Sequence, residues 1–420
     1  IAISAKRTEN ALESVGLFSK IENGSVYNLK LEIQNVTATN SALVGGLAGT
    51  MTGNSRLINI AVTQVVPTGT GVSANTFGVK GDNLVGGLVG AVFGEAKITN
   101  VSITDPIVQS AYYDETHSIK TDGFYDSQTV TQEKSDFSYR KVRQELYNSE
   151  KNFKESISKL SFAGGLFGYI DTFKPSLRDS FNLETVSDNG YSITNLKGYN
   201  TANIRGEIVG GLVGFAGITS NVKDAGFVFT SSDETTNIIS YNGAAGGVFG
   251  YTVSIIKQIY AEYDSETQDA IEDNLANYYG GSTTVERGYS EIFIDTSSWN
   301  VGAGDYIENK PEYIGGLIGY QKYGKLIASY SKINVIAATD GCVAGGVVGR
   351  VGNPTPQSAW NENPINNDGV SGTSTTVLLN EVYSSGDVRG VVGSKYTAGG
   401  IVGSIARNAK LSLTAVNSVN

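Results

Sequence analysis

Side chains able to do chemistry are few in this chain and stand far apart. The single histidine, His117 in Glu115-Thr116-His117, and the single cysteine, Cys342, cannot build a His-Glu-x-x-His zinc helix, a cysteine-rich zinc site or an internal disulfide. His117 would serve as a general base only with a nucleophile brought to it in space, and it reads as a solvated loop residue. An acidic run, Asp264, Glu266, Asp269, Glu272 and Asp273, has the charge for calcium but lacks the Asp-x-Asp-x-Asp-Gly spacing of a calcium loop. It fits the first turn of a helix, where carboxylates oppose the dipole. No cofactor and no catalytic constellation is expected, so the chain reads as non-enzymatic.

Four aromatic residues remain as candidate contacts to a protein or glycan partner: Tyr112, Tyr113, Trp299 and Trp360. Tyr and Trp combine a large apolar body with a polar handle, which suits both sugars and protein surfaces. The competing reading of each Trp is a pin that holds a loop to the body of the fold.

Composition narrows the partners. Against 31 Lys and Arg stand 41 Asp and Glu, a net charge of −10. Such a balance gives no footprint for phosphate backbones or anionic lipid, so nucleic acid is not an expected partner. No run of about 18 apolar residues is present, and membrane insertion is not expected. The chain starts without Met and without a basic-then-apolar leader, which reads as a processed chain or a piece of a longer one.

What positions these residues is a repeat. The string small-Gly-Gly-apolar-x-Gly occurs at Val44–Gly49, Val85–Gly90, Ala163–Gly168, Val209–Gly214, Ala245–Gly250, Ile314–Gly319, Ala344–Gly349 and Ala398–Gly403, with a reduced copy at Val15-Gly16-Leu17-Phe18. About ten to thirteen residues after most copies comes an alternating segment, such as Leu57–Val62, Ile98–Ile103 or Val26–Leu31. Period-two alternation marks a half-buried strand. Each repeat is thus a short apolar strand, a turn and an alternating strand, too small to bury its own apolar side except by stacking on its neighbours. Glycine at fixed places fits corners where adjacent rungs approach too closely for a Cβ. The glycines do not read as phosphate loops, since no copy leads into a helix or a Lys-Ser/Thr pair.

The fold class expected is all-β: one parallel β-helix, or solenoid, over residues 1–420. Separations between successive copies of 29 to 78 residues require inserted loops, at about 105–159, 261–312 and 353–377. The first insertion carries an amphipathic helix with Val142, Leu146, Phe153, Ile157 and Leu160 on one side. The second carries a short helix opened by the capping box Ser265-Glu266-Thr267-Gln268. Rungs of about 22 residues at the ~4.8 Å strand spacing would give a rod of about 65 Å.

The Gly-Gly-Leu-Val-Gly core followed by Ile-x-Asn resembles the GLUG repeat of bacterial surface proteins. That resemblance spans residues 15 to 415 and implies a β-helical stalk, extracellular or attached to the cell surface, with a protein or glycan of a cell surface or matrix as partner. The repeat also occurs in the non-catalytic N-terminal region of IgA-cleaving zinc metalloproteases, which implies a second reading as the stalk of such an enzyme. A third reading, a carbohydrate-active β-helix enzyme with clustered carboxylates, has few matched Asp or Glu to support it. The strand-like end Leu411–Val416 has no cap, so end-to-end strand pairing between copies, extending to a filament, is a further expectation.

Overall fold

The computed structural model describes residues 2–6, 14–39, 43–65, 78–110, 161–171, 191–217, 221–228, 237–240, 243–252, 284–291, 294–295, 313–321, 324–332, 334–337, 342–351, 376–390, 396–405 and 410–415. Within them every regular element is a strand and every strand pairing is parallel. The chain is a parallel β-helix of nine coils.

Each Gly-Gly copy makes the same corner. A three-residue strand such as Leu84–Gly86 runs into the turn Gly87-Leu88, and a strand such as Val89–Phe93 leaves it. Successive coils stack these into two nine-stranded sheets, one before the turn and one after it. The alternating segments form a third, long sheet that contains Ser25–Ile33, Arg56–Gln64, Lys97–Thr104, Ser192–Tyr199 and Asn221–Val228. A fourth row, of strands such as Gly78–Gly81 and Ile107–Ser110, closes each of the earlier coils and forms a six-stranded sheet. A three-stranded sheet of Ile294–Asp295, Val335–Ala337 and Val388–Gly390 follows it in the later coils.

The core runs along the axis as in-register columns. Leu57, Ile98, Ile193 and Val222 stack in the long sheet, with Ile60, Val101, Leu196 and Ala225 beside them, and all are buried. The turn residues Leu47, Leu88, Leu166 and Leu212 press into the same core. A Cβ on Gly45 would lie 2.7 Å from the backbone N of Gly90, and one on Gly49 would lie 2.6 Å from the Leu43 carbonyl. The two strands flanking the turn therefore pack backbone to backbone, which only glycine permits.

The structure differs from the sequence reading in four places. The coil has four strands instead of the two visible as patterns, so nine strands at ~4.8 Å make a stack of about 40 Å, not 65 Å. Ile107–Ser110, at the head of the expected first insertion, pairs with both neighbouring coils. Thr284–Glu286, Tyr289–Ser290 and Ile294–Asp295, inside the expected second insertion, are also coil strands. Their inward positions hold Val285, Ser290 and Ile294, too few apolar residues in a row to show alternation. Thr376–Ser384 likewise begins inside the expected third insertion. The two expected helices lie outside the described residues.

Candidate functional site

Tyr112, Tyr113, Trp299, Trp360, His117 and the acidic run at 264–273 all lie outside the described residues, so the structure neither gathers nor separates them. Cys342 is described, and its side chain is buried in the core. Among the described residues no group of three or more His, Cys, Asp or Glu could hold a metal ion. What the coil does present is an outer corner, a tyrosine file and two unlike ends.

The outer corner bisects the long sheet. Asn28, Asn59, Asn100 and Asn195 occupy equivalent positions in four successive coils, each with φ between 54° and 58°. Asn tolerates this left-handed conformation better than most residues. Their side chains form a ladder: Asn59 Nδ2 donates to Asn28 Oδ1 at 2.9 Å, Asn100 to Asn59 at 2.8 Å and Asn195 to Asn100 at 2.8 Å. The same corner continues as Asp224, Arg287, Ala328 and Glu381, with φ of 48° to 57°. The amides at Asn28, Asn59 and Asn100 thus serve as structural rungs. Asn100-Val101-Ser102 matches a glycosylation acceptor pattern, yet its amide is committed on both sides.

Beyond Asn195 the ladder turns ionic. Arg287 donates from Nε and Nη2 to the two carboxylate oxygens of Asp224, at 2.7 and 2.8 Å, and also bonds Glu286. Lys223 pairs with Glu286 at 3.0 Å. The Arg287 hydrogen bonds hold the Asp224 carboxyl below its usual range, and the Lys223 hydrogen bond does the same for Glu286. These groups are well exposed, so they order the surface more than they stabilise it.

Next to them, on the outer face of the same sheet, Tyr289 and Tyr330 stack with ring centroids 5.7 Å apart, in register with Tyr383. Lys332 Nζ sits 4.9 Å from the Tyr330 ring centre, and the Tyr330 hydroxyl donates to Glu291 at 3.3 Å. Burial pushes the Tyr289 hydroxyl up to about 12. On the fourth row, Lys80 is shifted down to about 8, first by burial and then by the charge of Arg205 two coils away.

A second, buried aromatic file follows the glycine turn. Tyr169, Phe215, Tyr251 and Tyr320 occupy equivalent positions in four coils, with neighbouring centroids 4.8, 5.3 and 4.6 Å apart. In the later coils two inward columns of an otherwise apolar core carry polar residues. Thr252 and Gln321 continue the column of Met51, Val92 and Ile170, while Ser290, Ser331 and Ser384 continue that of Val62, Ile103 and Phe227. The Thr252, Ser290, Ser331 and Ser384 hydroxyls and Gln321 Oε1 are buried without a hydrogen-bond partner.

The end coils are exposed. Leu17, Phe18 and Tyr27 are 46 %, 47 % and 48 % exposed at one end, and Ile405 is 50 % exposed at the other. No family model, no curated protein and no solved structure matches this chain.

Proposed function

We propose that this chain is a non-enzymatic structural or adhesive protein of the cell exterior, in which the nine-coil solenoid is a rigid spacer and the segments inserted between coils make the contacts. The observation that carries the reading is the uninterrupted parallel register of the two nine-stranded sheets through every insertion. The described strands keep this register across sequence separations of up to dozens of residues, as expected of a scaffold that displays variable loops. The resemblance of the repeat to GLUG repeats supports an extracellular or surface-attached setting, with a protein or glycan of a cell surface or matrix as partner.

Trp299 and Trp360 are the contact residues this reading selects first, with Tyr112 and Tyr113 next. Its test is binding of the purified chain to immobilised matrix proteins and to a glycan array, beside the Trp299→Ala and Trp360→Ala variants. Saturable binding that either substitution removes, with the unfolding midpoint unchanged, agrees with the reading. Hydrolysis or lyase cleavage of an arrayed glycan would contradict it.

A further inference from the structure

The long sheet treats its charges in two ways. In its later strands they are paired: Lys223 with Glu286, Arg287 with Asp224 and Glu286, and Lys332 with Glu291. In the four strands that carry the asparagine ladder they are not. Lys30, Arg56, Lys97 and Lys197, one to each strand, form no ion pair among the described residues, and the only carboxylate on these strands is Glu32. Lys197 feels the Asp224 carboxylate at longer range.

The four cations flank the ladder on both sides. Arg56 and Lys97 are register partners before the corner, while Lys30 and Lys197 share the column two residues past it, with Ala61 and Ser102 between them. Lys30, Arg56 and Lys97 are exposed, and Lys197 is half-buried. Arg56 reaches toward the ridge. The Tyr27 hydroxyl, beside Asn28, is held below its usual range first by a hydrogen bond with Ser25 and further by Arg56.

The ridge between the cations is rich in donors. Each ladder bond uses one Oδ1 and one of two amide hydrogens, so Asn59, Asn100 and Asn195 each keep a second N–H while the oxygens of Asn28, Asn59 and Asn100 are engaged. Spare N–H groups set among unpaired cations ask for a ligand with many acceptor oxygens and repeated negative charge.

We propose that this ridge binds an extended acidic polysaccharide with one carboxylate per sugar, lying along the solenoid axis over the asparagine ladder. A sugar residue in such a chain is about as long as one coil step of ~4.8 Å, so carboxylates and cations recur together. The inference rests on the reading of a glycan partner given above and names the class of glycan. A bilayer or a nucleic-acid duplex presents its charge to the whole molecule, which carries −10 and is repelled, whereas a single polysaccharide chain meets the row alone. Single-stranded nucleic acid is bound on platforms of successive rings, and these four strands carry only Tyr27 and Tyr199, on the first and last of them.

The test is fluorescence anisotropy of a labelled oligogalacturonate of about eight sugars, titrated with the full chain at about 50 mM salt. Saturable binding that weakens with added salt is expected. The quadruple variant Lys30→Gln, Arg56→Gln, Lys97→Gln, Lys197→Gln should bind about tenfold more weakly or worse with its unfolding midpoint unchanged. A second quadruple variant at exposed positions off the ridge, Lys20→Gln, Lys325→Gln, Lys332→Gln, Arg389→Gln, makes the same change in net charge and should bind within about twofold of the wild type. Should the first variant unfold early, the single variants Arg56→Gln and Lys97→Gln decide in its place, each with weakened binding expected. No saturable binding, equal losses in the two quadruple variants, or equal binding of a neutral mannan oligosaccharide would overturn the proposal. Tighter binding of phosphatidylserine vesicles or single-stranded DNA than of the oligogalacturonate would assign the row to another partner and overturn it as well. If the oligogalacturonate fails while binding that depends on Trp299 or Trp360 persists, the row is refuted and the broader reading stands. Cleavage of the oligogalacturonate that the first variant loses would support the row and contradict the non-enzymatic reading.

Discussion

Asn195 donates its side-chain amide to Asn100 Oδ1 at 2.8 Å across 95 residues of sequence. The bond closes a coil over a long excursion of the chain, and both residues hold φ near 57°. The ladder thus joins backbone conformation to coil register in a single residue type.

Asn100→Ala removes one accepted and one donated amide hydrogen bond and places a Cβ residue without a polar side chain at positive φ. We expect a loss of about 2 kcal/mol in urea unfolding. Asn100→Gly, which relieves the backbone but not the ladder, should lose less. Equal losses would remove the conformational part of the explanation.

Ala328 occupies the same corner at φ 48° with no side chain able to bond its neighbours. Relief of the left-handed strain outweighs the chain entropy of glycine there, so Ala328→Gly should stabilise by about 0.5–1 kcal/mol. A destabilised variant in thermal or urea unfolding would mean that the corner is not strained at this coil.

Ser331 places a buried hydroxyl with no partner between Ser290 and Ser384. Ser331→Ala should be neutral or stabilising by up to about 1 kcal/mol, since it removes an uncompensated polar group and almost no volume. A loss above about 1 kcal/mol would show that the serine file is hydrogen-bonded in solution.

The Asp224 carboxyl titrates below its ordinary value of 3.8 because Arg287 bonds its charged form. A depressed carboxyl contributes stability that is fully present above the unfolded value and lost as pH falls through the folded one. The stability difference between the wild type and Asp224→Asn should therefore hold steady above about pH 5 and shrink below 3.8. A difference independent of pH down to the acid transition would detach Asp224 from Arg287.

The glycine corners were legible in the sequence, although rungs taken at about 22 residues overcounted the coils, and one residue type explains the corners. Positions such as Gly45 and Gly49 exclude every side chain, so the motif recurs nine times, once in reduced form, and each copy is a coil. The long-sheet strands were legible where Leu57, Ile60 and Val62 alternate with outward residues. The fourth row was not, because Gly78–Gly81 and Asn203–Gly206 each turn one large apolar residue inward, Val79 and Ile204, which is no pattern.

The corner asparagines were visible as Ile-x-Asn without their role, since a side-chain ladder leaves no mark within one repeat. It needs the register between repeats that only stacking supplies.

The central claim is a rigid rod of stacked coils, and a distance along its axis tests it. Ser25 and Lys325 are exposed and lie on one outward column of the long sheet, six coil steps apart through Arg56, Lys97, Ser192, Asn221 and Thr284. Spin labels at Ser25→Cys and Lys325→Cys, with Cys342→Ser to leave no other thiol, should give a narrow distance distribution by pulsed electron resonance. Its centre should fall near 29 Å, six steps of ~4.8 Å. A broad distribution, or a centre more than about 10 Å away, would contradict a continuous nine-coil spacer.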